Sequence, residues 1–163
     1  MKIKFYGTRG SIPVCNRDFL EFGGNITSIQ LTRDNGRIAI LDAGTGIRQL
    51  GNDLIKNGFH QEELFIGFTH FHWDHIQGFP FFGPAYNSNL VINILAMGKD
   101  RRINDLEGIF KGQMKPEYFP IPLQSMGAKF NFLKLDHNEL NINGTIVRVI
   151  KQNHAGDSFG YRI

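Results

Sequence analysis

The chain has 163 residues, 41% of them hydrophobic and 12% aromatic, which suits one domain, residues 1–163, with a real core and excludes a disordered protein. A net charge of +3 with dispersed Lys and Arg is compatible with an anionic substrate; nucleic acid is a possible partner that the sequence does not specifically indicate. One cysteine, Cys15, excludes a disulfide-stapled scaffold; no run is apolar enough to span a bilayer and the N-terminus lacks a signal-peptide core, so a cytoplasmic location with no membrane partner is expected.

The opening residues alternate, and Ile3 to Phe5 read as a strand ending at the glycines around Thr8 and Arg9. The loop after it carries Ser11, Pro13 and Cys15. Arg9 has two readings, a contact to substrate phosphate or a structural salt bridge. Ser28 to Leu31 and Arg37 to Leu41 form a hairpin through Asp34-Asn35-Gly36, and Gly46 to Asn57 follows as a helix with Ile47, Leu50, Leu54 and Ile55 on one face and Gly58 as its stop.

Leu64 to Thr69 is a short apolar and aromatic strand, and its carboxyl end delivers His70-Phe71-His72-Trp73-Asp74-His75, which holds three of the six histidines of the chain. Imidazole and carboxylate side by side suit zinc, iron or manganese, and the lack of neighbouring cysteines argues against a structural zinc knuckle. Beyond it lie Phe79, Phe81, Phe82 and Tyr86, read as core in preference to a cleft wall. Then come a strand over Leu90 to Met97, a short amphipathic helix over Arg101 to Lys111 and a proline-punctuated connector, Lys115 to Pro122, placed as a lid. Lys129 to Leu135 alternates, and Leu140 to Ile142 pairs with Thr145 to Ile150 across Asn143-Gly144. That last strand ends near His154, while His60 and His137 are read as surface residues.

The histidine cluster resembles that of the metallo-β-lactamase-fold hydrolases, and two further segments are similar to the branch holding phosphodiesterases and relatives of the tRNA 3′-end processing endonucleases. These are Gly7-Thr8-Arg9-Gly10-Ser11-Ile12-Pro13 and Leu41-Asp42-Ala43-Gly44-Thr45-Gly46. Gly23-Gly24-Asn25-Ile26-Thr27-Ser28 is similar to a third, with Ile26 where the branch has threonine.

The resemblance implies an α/β (α+β) fold, an αββα sandwich of two face-to-face sheets with helices outside. It gives His70, His72 and His154 to one metal and Asp74 and His75 to a second, with Zn2+, or Mn2+ or Fe2+, as the ion. It also makes Asp42 the residue that orients the ligands; the alternative from local sequence is an aspartate capping the helix after Gly44. His70, His72 and Asp74 become the catalytic residues of a phosphodiesterase acting through metal-bound hydroxide on a cyclic nucleotide or other small phosphodiester. Two alternatives stand beside it: hydrolysis of a lactam, thioester or lactone on the same site, and a silent binding or assembly module.

Members of the family continue further, supplying a bridging aspartate and another histidine. The domain is therefore expected to be incomplete at its C-terminal end. One or two metals are expected, the second held weakly, and an uncovered sheet face is expected to favour a homo-oligomer. Asp157 is the only nearby carboxylate for the bridging place, where the branch tends to have a small residue.

Overall fold

A computed structural model describes residues 1–142 and 144–163. The strands are β1 (Lys2–Gly7), β2 (Ser28–Thr32), β3 (Ile38–Leu41), β4 (Glu63–Gly67), β5 (Val91–Met97), β6 (Lys129–Leu135), β7 (Glu139–Ile142), β8 (Thr145–Lys151) and β9 (Phe159–Arg162). The helices are α1 (Gly46–Lys56), α2 (Trp73–Ile76) and α3 (Leu106–Gln113). Strands β1 to β6 form one sheet in sequence order and β7 to β9 a second.

In the larger sheet β1, β2 and β3 run antiparallel and β3, β4, β5 and β6 run parallel. The carboxyl ends of β3, β4 and β5 therefore emerge on one edge, where parallel sheets place their sites. The strands are short and apolar because both faces are used. Ile92, Ile94 and Ala96 of β5 join the core under α1 and α3, whereas Leu95 and Met97 face Val147, Val149 and Phe159 of the smaller sheet. Helices thus lie on one face of the large sheet and the small sheet on the other, the layering of a metallo-β-lactamase-type sandwich; among the described residues no helix follows β9.

The β2–β3 turn closes with Gly36 N–H on Arg33 O and Gly36 at φ +78°. Helix α1 buries Ile47, Leu50 and Leu54, but Ile55 is exposed; Gly51 takes the buried place instead, packed against Phe82 and Pro84. Asn143 of the expected Asn143-Gly144 turn lies outside the described residues, while Gly144 has φ +84° and donates to Asn141 Oδ1.

The helix expected over Arg101 to Lys111 starts only at Leu106, because the Asp105 carboxylate caps it by accepting the Gly108 N–H at 2.7 Å. The residues before it form a turn at the site. Of the aromatic run, Phe79 and Phe82 are core, whereas Phe81 and Tyr86 reach the surface. Phe119, in the proline-punctuated connector, packs edge-on against Phe81.

The small sheet covers only part of the large one. Register places Ile3, Leu31, Ala39 and Phe65 on one face, and Phe5, Ile29 and Leu41 beside them. At the outer edge of this face Ile3 is 50% and Phe5 61% exposed. A cavity of about 410 Å3 opens between Leu31, Ala39 and Phe65 and the Ile142 and Val147 side of the small sheet. No helix among the described residues is long and apolar enough to cross a membrane.

Candidate metal centre

His70 stands three residues beyond the end of β4 and His72 follows at φ −61°, ψ 152°, an extended residue immediately before α2. The turn into α2 is laced to the loop after β3: Ala43 N–H donates to His75 O and Gly78 N–H to Ala43 O, each at 2.8 Å. The approach is so close that a Cβ on Gly78 would lie 2.1 Å from Gly44 O. Glycine at position 78 is therefore a packing requirement of the histidine turn.

Three imidazoles converge. His72 Nδ1 lies 3.1 Å from His70 Nε2 and 3.3 Å from His154 Nε2, and among the described residues these three form the group able to hold a metal ion. Histidine nitrogens 2.0–2.1 Å from a tetrahedral ion stand about 3.3 Å apart, so the spacing fits such an ion. A cation held there would accept one nitrogen lone pair from each ring. His70 does not supply that cation as a proton at neutral pH. Burial pushes its pKa from 6.5 down to about 4, and the neighbouring imidazoles His75, His72 and His154 push the same way.

Asp42 and His75 flank this group. Asp42 sits in a left-handed backbone conformation at φ +60°, its carboxylate buried and fully engaged. Oδ1 accepts the Thr69 N–H at 2.9 Å, Oδ2 accepts the Thr69 hydroxyl at 2.9 Å, and Oδ2 is 2.8 Å from His75 Nδ1. The carboxylate thus keeps the proton of His75 on Nδ1 and leaves Nε2 with its lone pair 3.5 Å from Asp74 Oδ2. Asp42 does not cap α1, which begins at Gly46 without a side-chain cap.

Asp74 Oδ2 also accepts the Ser11 N–H at 2.8 Å. Burial raises the Asp74 pKa, but that N–H and the imidazoles of His75 and His70 outweigh it and hold the carboxyl below the usual 3.8. It is ionised at neutral pH.

Each of the predicted site residues therefore lies on this edge, the three histidines together and Asp74, His75 and Asp42 beside them. Asp157 stands apart from the three. Its Oδ2 takes the Arg102 N–H and its Oδ1 pairs with Lys151 at 3.2 Å, which turns the carboxylate toward the rim. Arg9 does not make the expected structural salt bridge among the described residues; its guanidinium lies 4.1 Å over the Phe19 ring. His60 and His137 are away from the cluster.

Two participants escaped the sequence. Ser11 reaches Asp74 through its backbone at φ +68°, for which the only sign was its place in the Gly7–Pro13 segment. Arg101 is 2% exposed and sits behind the histidines, hidden by its position in an expected helix. A cleft of about 570 Å3 opens beside His70 and His72, walled by Phe71, Ile109, Arg102 and Asn104.

Neither a protein-family model nor a curated protein matches the chain. Among solved structures it is similar to a diphosphatase from the PhnP family, with TM-score 0.66 and 16% identity over 98% of this chain and 61% of that one. It is also similar to the BLEG-1 B3 metallo-β-lactamase, with TM-score 0.51 and 19% identity over 98% of this chain and 66% of that one. A third likeness is to Zn2+-bound PqqB from Methylobacterium extorquens, with TM-score 0.51 and 15% identity over 90% of this chain and 54% of that one. The chain spans between about half and two thirds of the length of these structures. All three have the metallo-β-lactamase fold, and this chain has that fold too.

Proposed function

We propose that the protein is a metal-dependent hydrolase of small phosphodiesters. The observation that carries this reading is the convergence of His70, His72 and His154 on one point, with the ionised Asp74 and the oriented His75 alongside. His70, His72 and His154 would hold one divalent cation, and Asp74 and His75 offer two ligands to a second, more weakly held ion. Such a cation supplies the Lewis acidity that lowers the pKa of water from about 15.7 to about 7 and polarises a phosphoryl oxygen.

The chain's own residues do the rest. Oδ2 of Asp74 is occupied by the Ser11 N–H, which fixes the carboxylate and leaves Oδ1 to orient the attacking water and to carry a proton to the departing alkoxide. Asp42, by holding His75 through Nδ1, keeps that ring from turning its N–H toward Asp74. Arg102, largely exposed on the cleft wall, adds positive charge where an anionic ester enters.

A phosphodiester is favoured over a lactam, thioester or lactone by the likeness of the Gly7–Pro13 and Leu41–Gly46 segments to the phosphodiesterase branch. The higher TM-score of the PhnP-family diphosphatase, 0.66 against 0.51, supports the same choice.

Hydrolysis of bis(p-nitrophenyl) phosphate with added zinc or manganese tests the reading. Metal-dependent turnover that His72→Ala abolishes is the expected result, with zinc titration of metal-free protein giving one tight equivalent per chain. Absence of turnover with both metals, at a site shown to bind them, would leave a silent binding module as the better account.

A further inference from the structure

We infer that Arg101 is a positioning residue for the three-histidine centre, acting through His154; the inference rests on the metal-holding role proposed above. The two halves of that centre come from different sheets. His70 and His72 follow β4 of the large sheet, and His154 lies between β8 and β9 of the small one. Something must hold the small sheet's loop in register with the end of β4, and His154 itself is exposed, its ring resting edge-on against those of His70 and His72 at centroid distances of 4.8 and 5.1 Å.

The Arg101 guanidinium occupies that junction. Nη1 donates to Phe68 O at 3.1 Å and to Met97 O at 3.0 Å, joining the ends of β4 and β5. Nη2 donates to Thr69 O, the carbonyl that immediately precedes His70, and to Asp157 O at 3.3 Å, three residues after His154. The Phe159 N–H also donates to Thr69 O, at 3.0 Å, so one carbonyl ties the β4 end, Arg101 and the start of β9 together. Ring faces steady the group: its carbon lies 5.4 Å from the Phe71 centroid and 4.8 Å from that of Phe159.

The chemistry of this arrangement separates positioning from ordinary burial. A buried cation is costly and is usually met by a carboxylate, yet no carboxylate bonds to this one among the described residues. Four carbonyl oxygens satisfy it instead, and its Nε has no partner. An apolar side chain would fill the space without that burden. What it does not provide is a rigid planar fork reaching carbonyls in two directions, and lysine's single ammonium lacks that fork as well. Both Nη atoms are used on backbone, so the residue has no donor left there to greet a substrate.

The test is a cycle of variants titrated with Co2+, read by visible absorption and by competition with a chromophoric chelator. Arg101→Met and Arg101→Lys are expected to bind Co2+ about 10–100-fold more weakly than the unaltered protein, the range for losing a residue that supports a ligand. Their Co2+ spectra should shift toward that of His154→Ala. In the His154→Ala background, Arg101→Met should change affinity by less than about twofold, since the ligand it serves is gone.

Equal losses in both backgrounds, or unchanged affinity in both arginine variants, would overturn the inference while leaving the metal site standing. So would loss of the folded circular-dichroism signal in both arginine variants, which would place Arg101 in global stability. If the unaltered protein binds no Co2+, it is the metal-holding role that fails, and the inference goes with it.

Discussion

Replacing Asp42 by asparagine changes one charge and little else. Asparagine tolerates the left-handed conformation that Asp42 adopts at φ +60°, so the backbone after β3 has no reason to move. The amide nevertheless cannot copy the carboxylate, which accepts from Thr69 on Oδ1 and lies 2.8 Å from His75 Nδ1 on Oδ2. With its nitrogen at the Oδ1 position it meets the Thr69 N–H, donor against donor. With its nitrogen at the Oδ2 position it faces His75 Nδ1, which then becomes the acceptor and moves the ring proton to Nε2. The second arrangement costs less, because the Thr69 hydroxyl, 2.9 Å from Oδ2, also lies 3.1 Å from Oδ1 and can turn to that oxygen. One hydrogen bond to a charged group is then lost, about 1.5–3 kcal/mol. Urea unfolding of metal-free protein measures the stability, and histidine 15N spectra report the tautomer. His75 should carry its proton on Nδ1 in the unaltered protein and on Nε2 in Asp42→Asn. An unchanged tautomer with a stability loss below about 0.5 kcal/mol would refute the account of how Asp42 acts.

The folded chain resists protonating His70 until about pH 4 while the unfolded chain takes up that proton near 6.5. Metal-free stability should therefore fall as pH drops from about 7 toward 4, by at most about 3 kcal/mol, and His70→Gln should flatten the slope; an equally steep slope in that variant would refute the assignment. Gly156 has φ +79° and an added Cβ would lie 3.2 Å from His72 Nε2, so Gly156→Ala should cost about 1–2 kcal/mol and weaken zinc binding. Unchanged melting temperature and affinity would contradict that crowding. The bare face at Ile3 and Phe5 predicts concentration-dependent association between copies, measured by light scattering and reduced by the double substitution Ile3→Lys and Phe5→Lys. A chain that stays monomeric at every concentration would count against it.

How much of this could be read in advance follows from the range of the forces involved. Periodicity and turn chemistry are local, so β2, β3, α1, β5, β6 and β8 fall where alternation, Gly36 and Gly58 put them. The His70–His75 spacing is local as well, and it marks the cluster without any fold. Arg101 shows where such reading stops. Within its own segment it is one charged residue on an amphipathic stretch, indistinguishable from Lys111, which pairs with Glu107 on the surface of α3. What separates the two is that Asp105 caps α3 late, and the turn this leaves points Arg101 at carbonyls from β4, from β5 and from the loop before β9. The same holds for Ile55, which shares a helical face with Leu54 on paper but loses its buried place to Gly51 because Phe82 and Pro84 arrive from elsewhere. In both cases the deciding partner is distant in sequence, and an imidazole cluster assembled from two sheets depends on such partners for its third histidine.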